Sequence, residues 1–213
     1  MKRAPADGWL LRDAIPDTDA APCLDIYAPF IRDTSVSFEE VVPTVEEFRD
    51  RMRASIATHP WLVLVVDGRI AGYAYGSQHR SRASYRWAAD VTVYVGPAHR
   101  GLGAGRHLYG ALLERLRQQG FQVACGGITL PNDASVGLHR AMGFEPVGIY
   151  RRIGWKAGAW HDVMWMQLEL APQPMPRRRS LAGPAARVVT RGLEVAGPAT
   201  PAGPAPGAWP RCP

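Results

Sequence analysis

The chain has no apolar stretch long enough to cross a bilayer: Trp61–Val66, its longest strongly apolar run, is six residues where a spanning helix needs about 20. It opens MKRAPADGWL, without the apolar segment of a secretory signal. Only three cysteines occur in 213 residues, Cys23, Cys125 and Cys212. They are odd in number, widely spaced, and form neither CxxC nor a Cys/His cluster, so no disulfide framework and no metal site is expected. Cys125 lies in an apolar run and reads as a small buried hydrophobe. A soluble, reducing, cytoplasmic setting is the expectation. Acidic charge is scarce at one end only. The formal charge is +6 and the isoelectric point about 9.6. Residues 172–213 hold six arginines against the single acid Glu194, which leaves the first 171 residues at +1. The basic character therefore belongs to the tail, and no nucleic-acid partner is expected of the body.

With 46% hydrophobic residues the body can build one sizeable core. The last 42 residues hold ten prolines and few aromatics, a composition read as a disordered tail. The expected division is a folded domain over 1–171 and a tail over 172–213. Within the domain, Trp9–Arg12 reads as a strand, 17–30 as a helix and 35–38 as a short extended piece. Thr44 with Glu47 forms a capping-box pattern that starts a helix to about Thr58. Trp61–Val66, a turn at Asp67–Gly68 and Arg69–Gly76 read as a hairpin, followed by a polar loop over 77–86. A strand over 87–95 precedes a helix with Leu108, Leu112 and Leu116 on its core face. A strand over 122–129, a helix capped by Asn132 or Asp133, and two strands joined around Lys156–Gly158 complete a mixed α/β domain.

HRGLGAGRHL, residues 99–108, places glycines at 101, 103 and 105 between a strand and a helix. G-x-G-x-x-G fails in every frame, and G-K-[S/T] is absent, so neither a dinucleotide nor a nucleoside-triphosphate loop is present. R-x-x-G-x-G does fit, through Arg100, Gly103 and Gly105, with Gly101 the least specific of the three glycines. A helix start offers unpaired N–H groups and positive potential to a phosphate, with Arg100 or Arg106 adding charge. A glycine-rich turn without a ligand remains the competing reading of this stretch alone. Downstream stands a second pattern, Asn132-x-x-Ser135-x-x-x-His139-x-x-x-Gly143-Phe144.

The two patterns in this order resemble the GNAT superfamily of N-acetyltransferases. "YRWAADVTVYV", "GITLPNDASVGLHRAMGF" and "WHDVMWMQLEL" are similar to its phosphinothricin and methionine sulfoximine acetyltransferases, across about residues 9–170. The resemblance implies a twisted, mostly antiparallel sheet flanked by helices and splayed between its fourth and fifth strands. It implies acetyl-CoA as co-substrate, a small amine acceptor, direct transfer in a ternary complex and a homodimer. The implied donor-binding residues are Val93, Val95, Arg100, Gly101, Gly103, Ala104, Gly105, Arg106 and Asn132; capping its helix is an equally good role for Asn132. Asp90 stands where the subfamily has glutamate and is the candidate base, through a water because the side chain is shorter; an ordinary strand-end aspartate is the alternative. His139 is the candidate to donate a proton to the leaving sulfur or to assist with the amine proton; a structural histidine on its helix is the alternative. Phe38, Arg80, Arg82, Tyr85 and Tyr94 are the expected acceptor-side residues, the arginines suiting a carboxylate. Another amine (polyamine, aminoglycoside or protein N-terminus) and a non-catalytic acyl-CoA-binding module stay open as alternatives.

Overall fold

The computed structural model describes residues 8–170; the expected tail over 172–213 lies outside them. Seven strands form one sheet: β1 (Trp9–Asp13), β2 (Trp61–Val66), β3 (Arg69–Gln78), β4 (Ala88–Val95), β5 (Val123–Thr129), β6 (Glu145–Lys156) and β7 (Ala159–Glu169). Their order is β1-β2-β3-β4-β5-β7-β6. Every neighbouring pair is antiparallel except β4 and β5. Helices α1 (Pro16–Asp33) and α2 (Val45–Ile56) are followed by α3 (Ala104–Gln119) and α4 (Asp133–Ala141).

Strand alternation gives the sheet two covered faces. Leu62 and Leu64 of β2 join Leu108, Leu112 and Leu116 of α3 in one core. Their neighbours Trp61 and Val63 point the other way, into a second core with Cys23, Tyr27 and Ile31 of α1 and Phe48 and Met52 of α2. Burial of each large aliphatic side chain is worth roughly 1.5–3 kcal/mol, so the leucine stripe of α3 fixes that helix to the sheet.

The local signals act as expected at several points. Glu47 N donates to Thr44 Oγ1 at 3.2 Å, and Thr44 N to Glu47 Oε2 at 2.8 Å, closing the capping box of α2. Asp67 and Gly68 both take positive φ, 49° and 75°, as a tight hairpin turn requires. Helix α1 runs longer than its expected span and continues through Pro22 and Pro29, because the buried inner face from Ala20 to Ile31 outweighs the two missing hydrogen bonds. Residues 35–37 form bends and Phe38 has no regular structure, so this piece is not a strand. Strand β3 extends two residues beyond Gly76, which matters for the site.

β4 and β5 pair over three positions only: Ala88 with Val123, Ala89 with Ala124 and Asp90 with Cys125. β4 then continues to Val95 beside β3 and β5 to Thr129 beside β7, without pairing to each other. The two strands part immediately after Asp90, so the expected splay is present, with Asp90 at its apex.

Candidate active site

Residues 91, 93 and 95 lie on the edge of β4 that turns toward the opening. One of their carbonyls takes a side-chain donor instead of a ladder partner, Arg100 Nε donating to Val95 O at 3.0 Å, and Val91 O faces Tyr109 Oη at 3.3 Å. By two-residue alternation the same edge presents the amide of Val93 to the opening. The Arg100 guanidinium also covers the Phe30 ring at 5.0 Å.

The glycine loop follows. Gly101 and Gly103 adopt φ of +74° and +96°, a left-handed backbone that disfavours any side chain. Gly101 is therefore as much required as Gly103, contrary to its expected lesser weight. Gly105 is helical, and a Cβ there would come within 3.2 Å of Leu138 Cδ2, so its smallness serves the approach of α4. Helix α3 starts at Ala104 with no side-chain cap and no acid in its first turn, where Arg106 is exposed. Such a helix start is complementary to an anion. This loop, helix start and opened strand edge fit the diphosphate and arm of a coenzyme A thioester.

Asn132 caps α4, accepting from Ser135 N at 3.1 Å. His139 is buried on the α3/α4 side of the sheet. Its Nδ1 donates to Ser135 O at 2.8 Å, which leaves Nε2 to accept from Tyr109 Oη at 3.0 Å. The ring stands edge-on to Tyr109 and Phe144. A Cβ on Gly126 would lie 2.5 Å from Nε2, so only glycine leaves room for the imidazole beside β5. Burial lowers the His139 pKa, with the bond to Ser135 opposing. Both nitrogens are engaged with protein groups.

Asp90 is on the opposite face. Its neighbours Ala89 and Val91 belong to the α3-side core, so the Asp90 side chain emerges on the α1/α2 side with that of Cys125. There Asp90 Oδ1 meets His79 Nδ1 at 2.7 Å. The His79 nitrogen, the Asp90 oxygen and Cys125 Sγ all lie within 4.8 Å of one another. Burial raises the Asp90 pKa, only partly offset by His79 and Arg80. Burial, with Asp90 adding to it, pushes the Cys125 thiol up to about 11. His79, Arg80, Cys125, Tyr150, Trp165 and Gln167 border a cavity of about 220 Å³. The Arg80 guanidinium sits 5.7 Å from the Trp165 ring centre, and Tyr85 stands edge-on to His79 at 5.9 Å.

Asp90, Arg80 and Tyr85 are thus gathered around one imidazole. Arg82 is exposed beside them, at the start of the single turn Ala83–Tyr85. Tyr94 shares their face but packs among Tyr27, Phe30 and Tyr73, at 4.8, 4.9 and 5.5 Å between ring centres. Phe38 lies over Gly154 of β6, where a Cβ would meet its ring within 2.8 Å, and faces His161. The segment carrying Phe38 is tied down by buried Lys156, whose Nζ donates to Ile31 O and Ser37 O at 2.7 and 2.5 Å. Reading the residues in order missed His79 and gave Cys125 only a packing role. The period-two row Tyr73, Tyr75, Ser77, His79 was the available signal, since Ser77 lies directly opposite Asp90.

The Acetyltransferase (GNAT) family profile matches residues 27–144. The chain is 40% identical over 162 residues to the phosphinothricin N-acetyltransferase of Streptomyces viridochromogenes, covering 75% of this chain and 88% of that one. It is 32% identical over 159 residues to the L-methionine sulfoximine/L-methionine sulfone acetyltransferase of Salmonella typhimurium, covering 74% and 93%. Among solved structures, the Salmonella typhimurium protein yncA with its cofactor acetyl-CoA superposes with a TM-score of 0.76. That pair is 30% identical, covering 80% of this chain and 98% of that one. A sheet that opens after its fourth strand, a glycine loop leading into an uncapped helix, and these matches agree: the chain belongs to the GNAT family of acetyltransferases.

Proposed function

We propose that the protein transfers an acetyl group from acetyl-CoA to the α-amine of a small amino-acid-like acceptor of the methionine sulfoximine, methionine sulfone or phosphinothricin type. The observation that carries this is the placement of Asp90 at the apex of the splay, beside a cavity of about 220 Å³. That volume is below the roughly 300–1,000 Å³ of sites for drug-sized ligands, which favours a compact acceptor over an aminoglycoside. Arg80, with Arg82 beyond it, supplies positive charge for a carboxylate.

Acetyl-CoA, when bound, supplies an acetyl group activated as a thioester. The protein's part is to hold it, to take a proton from the acceptor amine and to stabilise developing negative charge. Gly101–Arg106 and the start of α3 receive the anionic diphosphate, and Val93 N–H on the open edge of β4 is the oxyanion donor. The carboxylate side of the site handles the amine proton, since a primary amine is protonated at neutral pH and attacks only when freed. A covalent relay through Cys125 is disfavoured by its raised pKa, which supports direct transfer in a ternary complex. His139 lies on the donor face; its engaged nitrogens support a role in holding α4, Tyr109 and β5 together.

A colorimetric assay of CoA release tests the acceptor. Turnover is expected on methionine sulfoximine, methionine sulfone or phosphinothricin. Rates no greater than thioester hydrolysis on all three, with turnover on a polyamine, an aminoglycoside or an N-terminal peptide, would replace this reading by another GNAT specificity.

A homodimer belongs to the same proposal. β6 is an edge strand of 12 residues that exposes Val147, Ile149, Ile153 and Trp155; such an edge is usually covered. Sedimentation is expected to give the mass of two chains, and a single-chain mass at micromolar concentration excludes the dimer. Free, buried Cys23 and Cys125 suit a reducing, cytoplasmic setting. No described helix is long and apolar enough to cross a membrane. The catalytic domain is taken as residues 1–171, with 172–213 a tail of separate composition.

A further inference from the structure

We infer that His79 and Asp90 work as one unit, in which the His79 imidazole receives the proton of the acceptor amine and Asp90 orients it. The inference rests on the acetyl-transfer reading above. Aspartate is one methylene shorter than the glutamate of the resembling subfamily, which withdraws the carboxylate by roughly 1.5 Å from a reacting amine. The structure fills that gap with a ring. Asp90 Oδ1 is engaged by His79 Nδ1 at 2.7 Å, so this oxygen is committed to the histidine.

A carboxylate only accepts hydrogen bonds, so Nδ1 is the donor. The neutral ring then carries its lone pair on Nε2, which is the arrangement a general base needs. The ring is held on two sides, edge-on to Trp165 at 5.8 Å and to Tyr85 at 5.9 Å. Its side chain keeps 16% of its surface exposed, against 27% for Asp90, and it lines the acceptor cavity. The other ionisable groups around it are Arg80 in its own segment, the Cys125 thiol of β5, Tyr85 and Tyr150; β7 contributes Trp165, which does not ionise. None of these engages Nδ1, which is anchored to Asp90, so the pair forms a relay with one free end.

The balance of the step is simple. The ammonium of the acceptor gives one proton to Nε2, and the freed nitrogen pair forms the C–N bond as the C–S bond breaks. The second amine proton neutralises the departing sulfur, and Nε2 returns its proton to solvent.

The test uses the full chain with acetyl-CoA and methionine sulfone, and five variants: His79→Ala, His79→Gln, Asp90→Asn, Asp90→Glu and the double variant His79→Ala/Asp90→Glu. His79→Ala and His79→Gln are expected to lose about 100-fold or more in kcat with KM changed little, and free imidazole should restore part of the His79→Ala activity. The double variant should exceed His79→Ala, because the longer carboxylate regains reach where the ring has gone. Its acid limb of kcat should lie about 1–2 pH units lower, as a carboxyl rather than an imidazole takes the proton. Nitrogen-15 NMR of the resting wild-type enzyme should show His79 as the Nδ1–H tautomer, with a signal that moves in Asp90→Asn. Near wild-type kcat in both His79 single variants, or an Nε2–H tautomer, overturns the inference. Wild-type inactivity on every acceptor would count against the acceptor reading instead, and the tautomer then decides the pair alone.

Discussion

Asp90→Asn is expected to reduce kcat/KM by about 10²–10⁴-fold while leaving the domain slightly more stable than the wild type. The loss follows from removing the negative charge that anchors the imidazole and supports its protonation during transfer. The geometry should survive, because an asparagine oxygen still accepts from His79 Nδ1. The gain in stability follows from the sign of the Asp90 shift. Burial raises the pKa of this carboxyl, and the His79 bond only partly offsets it. A carboxyl with a raised folded pKa favours folding below its unfolded pKa, and that contribution is lost as pH rises through the folded value. At neutral pH the ionised group is therefore a cost that asparagine removes. A gain of about 0.5–1 kcal/mol, or roughly 1–4 °C in Tm for a domain of this size, is expected. Steady-state kinetics and a thermal melt on the same preparation check both halves. Activity within threefold of wild type would remove Asp90 from the proton path; a lowered Tm would show that the carboxylate mainly supports the fold.

His139→Ala is expected to cost about 2–4 kcal/mol of folding stability. The imidazole fills the space between α4, Tyr109 and β5, and a Cβ on Gly126 already meets it, so the vacated volume has no neighbour able to fill it. Ser135 O and Tyr109 Oη each lose a partner as well. The loss should depend on pH. His139 is buried neutral with a lowered pKa, so the stability it contributes is present above the ordinary imidazole range and is lost as pH falls through the lowered value. Chemical denaturation at about pH 7.5 and about pH 5 should therefore show a smaller gap between wild type and variant at the acid end. If His139→Ala unfolds at the wild-type denaturant concentration yet loses about 10³-fold in kcat, the residue is a proton donor and the packing account is wrong.

The glycine loop and the helix it opens were legible because their determinants are local. Three alternating glycines, Arg100 and the leucine stripe of α3 lie within 20 consecutive residues, and their conformations follow from sterics and helical period. The cap at Asn132 and the place of His139 on the inner side of α4 followed from spacing on one short helix. The cluster on the other face, around Asp90, depends on strand register. That Asp90 faces Cys125 is decided by how α3 carries the chain from β4 to a parallel β5, and nothing near either residue encodes it. His79 was hidden for a simpler reason: Gly76 and the polar residues after it looked like the end of a strand, whereas pairing with β4 carries β3 through Gln78. Tyr94 shares the face of Asp90, but Tyr27 and Phe30 of α1 close over it. Sequence distance, rather than chemical subtlety, separates what could be read from what could not.

The alternation that sends Asp90 to one face of the sheet and His139 to the other also partitions mutational change. On the proposed acetyl-transfer reading, substitutions around His79, Arg80, Tyr85 and the cavity near Trp165 reshape acceptor choice without touching the glycine loop, α3 or the packing of α4. A scaffold divided in this way can exchange one amine for another through changes on a single face, with the donor machinery inherited intact.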